Sequence, residues 1–179
     1  MPKKIENIRE SILQDAHAIL KTEGYEALTI RRVAKDCAIA VGTVYNYFPS
    51  KEVLSASIML EDWQKTLKQI NQKCQKTNDL AQGIRWTYQG VMSFARTYRS
   101  AWSSYIFTGH ETQEIKHRHA QLVQQIASCL HPFLNGRQPR HYDLYLAENI
   151  LTCVSGSSVE IQDFITIVTN QEKKAGGNV

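Results

Sequence analysis

Apolar positions in this chain recur at intervals of three and four, and no stretch alternates apolar with polar as a half-buried strand would. Ile5, Ile8, Ile12, Leu13, Ala16, Ile19 and Leu20 line one face of a first helix. It ends at Gly24, a residue suited to the left-handed position that closes helices. Thr29 caps a second helix through its hydroxyl, and Ile30, Val33, Ala34 and Cys37 supply that helix with an apolar stripe. Ala38-Ile39-Ala40 makes a tight turn with Ile39 as its buried plug. A short third helix, about Val41 to Phe48, buries Val44 and Phe48 at i and i+4 until Pro49 stops it. Ser50 then caps a longer helix with Glu52 in its first turn. Leu54, Ile58, Met59, Trp63, Leu67 and Ile70 carry its apolar face to about residue 74.

The remainder is helical as well. Leu80, Ile84, Tyr88, Val91, Met92, Ala95 and Tyr98 predict a helix over about 79–98, followed by a short one over roughly 100–108. A long helix runs from about Thr112 to Leu134, with Pro132 bending or ending its last turn, and Asn135 to Pro139 form a loop. Two more, about 141–155 and 158–172, are split by Gly156-Ser157-Ser158, and a frayed tail closes the chain. The expected architecture is all-α, with about nine helices: an N-terminal three-helix helix-turn-helix domain (1–50), a linking helix (51–75), and a C-terminal bundle (76–173) for effector binding and dimerisation, ahead of a tail at 174–179.

Polarity changes the picture at the third helix. With Val44 and Phe48 inward, Val41, Gly42, Thr43, Tyr45, Asn46 and Tyr47 face outward, too polar and too aromatic for an ordinary buried helix. A helix-turn-helix lays its second helix in the DNA major groove, which is wide enough to admit one. Gly42 permits close approach to a phosphate, and Thr43, Tyr45 and Tyr47 offer hydroxyls to phosphate oxygens. Asn46 can pair with an adenine edge and Val41 can meet a thymine methyl. Arg31, Arg32 and Lys35 lie off the stripe of the second helix, and Lys51 stands at the positive end of the fourth.

These residues resemble the DNA-binding domain of the TetR family of bacterial transcriptional regulators. The likeness rests on Gly24-Tyr25, Leu28-Thr29, Val33-Ala34, Gly42-Thr43-Val44-Tyr45-Asn46-Tyr47-Phe48 and Ser50-Lys51-Glu52-Val53-Leu54, within roughly residues 4 to 60. The resemblance implies that Thr29, Thr43, Tyr47 and Lys51 occupy phosphate-contacting positions and that 41–47 is the recognition helix. It also implies that Tyr45 packs as much as it contacts DNA. The chain departs from the pattern twice. Ala38 stands where the family usually has glycine, costing about 1 kcal/mol if the backbone there is left-handed. Ala40 stands where serine is frequent and cannot cap the recognition helix, another loss of about 1 kcal/mol.

Composition adds bounds. The 179 residues carry a net charge of +4, but 1–51 hold eight Lys/Arg and six Asp/Glu, so bulk charge does not single out the N-terminal part. No apolar run approaches the roughly 18 to 20 residues that span a bilayer, and the charged N-terminus has no signal-peptide core, which predicts a cytosolic protein. Cys37, Cys74, Cys129 and Cys153 are widely spaced and read as reduced structural thiols. No nucleophile–base set, phosphate-cradling loop or strong metal motif appears, so neither an enzyme nor a cofactor is expected.

Seven of the sixteen aromatic residues fall between 86 and 107. With Trp63, these residues (Trp86, Tyr88, Phe94, Tyr98, Trp102, Tyr105 and Phe107) form a candidate pocket for a small apolar or aromatic effector, or else fill the bundle core. His110, Glu111, Glu114, His117 and His119 have metal-competent chemistry but read as solvated surface, and no metal is assigned. Tyr142, Tyr145, Leu146, Ile150, Ile161, Phe164, Ile165 and Val168 exceed the stripe a monomer needs and predict a homodimer interface. The expected function is a homodimeric, DNA-binding transcriptional repressor on a near-palindromic operator, released by a small effector. The alternatives are a regulator without an effector, or a helical carrier or enzyme.

Overall fold

Helical spacing becomes helices throughout the part of the chain that the computed structural model describes: residues 7–99, 113–134, 139–156 and 158–176, without the side chains of 113–115 and 172–176. These residues hold α1 (Ile8–Thr22), α2 (Ile30–Asp36), α3 (Val41–Tyr47), α4 (Lys51–Cys74), α5 (Leu80–Thr97), α6 (Gln113–Leu130), α7 (Tyr142–Val154) and α8 (Ile161–Gly176). A 3₁₀ turn at His131–Phe133 follows α6, where Pro132 denies the helix a donor. The fold is all-α, with no strand among the described residues. The short helix expected over 100–108 lies outside them.

The chain divides into two compact units, Met1–Trp63 and Gln64–Val179, with the division inside α4. In the first, α1 buries Ile12, Leu13, Ala16, Ile19 and Leu20 and closes at Gly24, whose φ of +87° is open to glycine at little cost. Polar contacts then tie α1 to the first half of α4. The His17 ring bonds the Asp62 carboxylate at 2.6 Å, and Arg9 approaches Glu61 at 3.8 Å. Leu54, Ile58 and Trp63 of α4 are buried here, so that half of the expected linking helix contributes to the N-terminal core.

In the second unit α7 is the central helix, packed on α6, α5 and α8, while α8 also packs on α5. Asp79 caps α5 by accepting from the Ala81 amide at 2.9 Å. The inward face of α5 carries Leu80, Ile84, Thr87, Val91, Phe94 and Ala95; the expected Tyr88 and Met92 are only half-buried. Thr87 is buried at no loss of hydrogen bonding, since its hydroxyl donates to the Gly83 carbonyl at 2.8 Å. Phe133 seats its ring on Gly83, where any Cβ would fall 2.5 Å from the ring.

This packing corrects the expected dimer face. Leu146, Ile150, Phe164, Ile165 and Val168 are buried within the single chain. The broad apolar arc of α7 serves several neighbours in the same chain, which accounts for the surplus that had suggested a partner. From the expected set Tyr145 remains exposed, with Tyr142 and Ile161 half-buried; Val159 and Ile167 are exposed as well.

Candidate nucleic-acid interface

Thr29 begins the site. Its extended backbone and side chain cap α2, with the Arg32 amide donating to Oγ1 at 3.1 Å. Ile30, Val33, Ala34 and Cys37 are buried as their spacing predicts. The helix then closes in a Schellman motif: the Ile39 amide donates to the Ala34 carbonyl at 2.9 Å, and the Ala38 amide to the Lys35 carbonyl at 3.1 Å. That geometry puts Ala38 at φ 54°, the left-handed position where a Cβ costs about 1–2 kcal/mol. Ile39 is half-buried rather than a fully buried plug.

Ala40 starts α3 without a side-chain cap, and the Thr43 amide donates instead to the Ala40 carbonyl at 2.9 Å. Seven residues are too few for a helix to be stable through its own hydrogen bonds. What holds α3 is its anchors, Val44 and Phe48, which are 0% and 2% exposed. The guanidinium of Arg9 lies 5.5 Å from the centre of the Phe48 ring. Anchoring on those two side chains turns Val41, Gly42, Tyr45, Asn46 and Tyr47 to solvent, with Thr43 half-buried among them. Tyr45 and Tyr47 are 51% and 44% exposed, which leaves about half of each side chain open to a partner.

The cations are not equally available. Arg31 and Lys35 are exposed. Arg32, also expected to face phosphate, is instead held by two acidic neighbours: Nη2 donates to Glu23 at 3.0 Å and Nε to Asp36 at 3.0 Å. Those bonds raise the guanidinium pKa further and cancel much of its reach as a point charge, which weakens its case as a contact.

Lys51 has a support that the sequence did not reveal. Its ammonium sits 3.9 Å from the centre of the Tyr25 ring, a cation–π contact, and the Tyr25 hydroxyl lies 3.4 Å from the Glu52 carboxylate. Burial and then the Glu52 charge push the Tyr25 phenol above its usual range, while a hydrogen bond from Ser50 holds Glu52 below its own. Ser50 also caps α4, accepting from the Val53 amide at 3.3 Å. The Gly24-Tyr25 and Ser50-Lys51-Glu52 segments therefore meet in space, with Tyr25 beneath the lysine as a positioning residue.

The expected effector aromatics that the structure describes differ in burial. Trp63 is buried in the first unit, and Phe94 and Tyr98 are buried against each other in the second with ring centres 4.8 Å apart. Trp86 and Tyr88 are half-buried, and Trp86 lines a cleft of about 170 Å³ between α4 and α5. Trp102, Tyr105 and Phe107 lie outside the described residues, as do His110, Glu111 and the side chain of Glu114. His117 bonds Gln121 at 3.0 Å and His119 bonds Glu148 at 3.0 Å, and no metal-competent group forms among the described residues. All four cysteines are free and buried. Burial pushes the Cys37 thiol up to about 12, aided by the Asp15 carboxylate that accepts its S–H at 3.0 Å. Burial also takes Cys129 to about 12. No helix among the described residues is long and apolar enough to cross a membrane.

Comparison with known proteins agrees with this geometry. The model of the family described as "Bacterial regulatory proteins, tetR family" matches residues 12–58, the span from α1 into α4. The chain is 29% identical over 164 residues to the nucleoid occlusion factor SlmA of Vibrio cholerae, covering 88% of this chain and 82% of that protein. It is 32% identical over 72 residues to the HTH-type transcriptional regulator UidR of Escherichia coli, covering 40% of this chain and 37% of that one. The solved structure of the fatty acid degradation regulator FadR from Bacillus halodurans matches with a TM-score of 0.50 at 14% identity, covering 96% of this chain and 99% of that one; the likeness is one of fold. A helix-turn-helix with an exposed polar second helix and the family match across it lead to one conclusion: residues 12–58 form a DNA-binding domain of the TetR family of bacterial regulatory proteins.

Proposed function

We propose that the protein works as a homodimeric repressor whose two α3 helices read half-sites about 34 Å apart in successive major grooves of a near-palindromic operator. The observation that carries this reading is the exposed row Val41, Gly42, Tyr45, Asn46 and Tyr47 on a helix anchored from behind by Val44 and Phe48. Tyr47, Thr43, Thr29 and Lys51 set the register against phosphates, and Asn46 and Val41 read base edges. The second unit supplies pairing, through the accessible faces of α7 and α8 around Tyr145 and Ile167, and the response to a small effector. The leverage of that effector equals its differential affinity for the bound and released states.

A second reading is supported by how the similarities are distributed. The UidR match spans 72 residues, whereas the match to the nucleoid occlusion factor covers 82% of that protein. On this reading the DNA-bound form is itself the active one, and no effector removes it.

Fragments of the protein's own genome, retained by the purified chain and sequenced, test both. Sites concentrated upstream of genes support the repressor, while sites spread over the chromosome support the second reading. Lys51→Ala should lower affinity for every fragment and reduce the magnitude of the salt slope by about 1. Asn46→Ala should cost about 1–3 kcal/mol at a preferred site and relax the choice of base there. Unchanged base preference would remove Asn46 as a reader, and a chain that retains no DNA would overturn both readings.

A further inference from the structure

The cleft between the second half of α4 and α5 lies wholly in the second unit and has a chemistry unlike that of an apolar core pocket. Each helix presents one i, i+3, i+4, i+7 face to it. Thr66, Gln69 and Lys73 come from α4, Trp86, Gln89 and Ser93 from α5, and Ile70 with Gly90 forms the point where the helices touch. A Cβ on Gly90 would fall 2.6 Å from Ile70, so the crossing exists because residue 90 has no side chain. A second contact, Cys74 Sγ 4.0 Å from the Gly83 carbonyl, sets the helices antiparallel. Lys73 lies three residues from Ile70 and Trp86 four from Gly90, both towards that second contact. At 1.5 Å per residue they share one end of the cleft, about 5 Å from the crossing. Thr66 and Ser93 share the other.

The resulting donor set is asymmetric. The cleft holds one ammonium, two amides, two hydroxyls and an indole, and no carboxylate. A cation facing neutral donors beside a flat ring suits an anion attached to a planar body: the anionic group on Lys73 and the amides, the body against Trp86. Size limits the choice. About 170 Å³ is well under the roughly 300–1,000 Å³ of pockets for drug-sized ligands.

We propose that this cleft is the effector site and that its ligand is a small planar organic carboxylate. The proposal rests on the repressor reading for its consequence but not for its chemistry, so binding and release are measured separately. Benzoate is the probe, benzamide the uncharged control, and the Trp86 indole N–H resonance, assigned by its loss in Trp86→Phe, is the reporter. Benzoate should shift that resonance saturably, benzamide should bind at least fivefold more weakly, and Lys73→Gln, at an exposed position, should weaken benzoate by a similar factor. No saturable shift, or equal affinity in Lys73→Gln, overturns the site. Titration of DNA-bound protein then addresses the function: release in wild type but not in Lys73→Gln supports the effector role. Saturable binding that leaves DNA affinity unchanged keeps the site and overturns effector-driven release.

Discussion

In the N-terminal unit Tyr45 and Tyr47 stand 51% and 44% exposed on a helix of seven residues, while in the second unit Tyr98 is 5% exposed and packed on Phe94. The contrast follows from how each region holds its helices. The second unit uses helices of 13 to 18 residues in α5, α6 and α7, each burying a stripe, and rings such as Phe94, Tyr98 and Phe164 are drawn inward as packing material. The first unit holds α3 by Val44 and Phe48 alone, which leaves the rest of its circumference free for residues chosen for contact. A short helix anchored at two points thus presents aromatic rings to solvent without contributing them to a core.

This contrast can be attacked at its anchors. Phe48→Ala should destabilise the N-terminal unit by about 3–5 kcal/mol, the usual cost of emptying a buried aromatic site. Hydrogen exchange should then show amides of α3 losing protection while those of α7 keep theirs. Equal loss in both would make the two units one cooperative structure and end the comparison. Ala38→Gly works in the opposite direction: with residue 38 at φ 54°, glycine should raise stability by about 1 kcal/mol, read as a higher melting temperature of the N-terminal unit alone. A drop would show that the residue abandons the left-handed turn.

One property should be shared. Cys37 in the first unit and Cys129 in the second both have thiols at about 12 against an ordinary 9.0. A raised native pKa means the thiol's contribution is intact below pH 9 and falls as pH rises towards 12, because only the unfolded chain ionises there. Unfolding free energies measured from pH 7 to 11 should therefore decline above pH 9, and Cys37→Ala should flatten part of that decline while leaving the slope near pH 7 unaltered. An identical slope in the variant would assign the alkaline loss to other groups.

Much of the first unit was legible because its signals are local. The cap at Thr29, the strained turn at Ala38, the absent cap at Ala40 and the inward pair Val44 and Phe48 all follow from spacing and turn chemistry within twenty residues. What escaped was long-range. Lys51 over Tyr25 joins positions 26 apart in sequence, and nothing in either segment announces the other. Arg32 read as a free cation because the sequence does not show that Glu23 folds back onto it. In the second unit the apolar arc of α7 pointed to a partner chain when the partners were α5, α6 and α8 of the same chain; periodicity counts buried faces without saying what covers them. Thr66, Gln69 and Lys73 lie off the apolar face that spacing outlines for α4, and only the opposing helix makes a cleft of them.

The capture of Arg32 by Glu23 and Asp36 has a consequence for the way the protein tolerates its ionic surroundings. A guanidinium already matched with two carboxylates is not free to neutralise a phosphate, so it displaces none of the counterions condensed on a duplex. On the proposed interface that leaves Arg31, Lys35 and Lys51 as the charges that salt can weaken, beside tyrosine and threonine hydroxyls that it screens little. The affinity of such an interface should fall less steeply with added salt than that of one in which Arg32 also met phosphate.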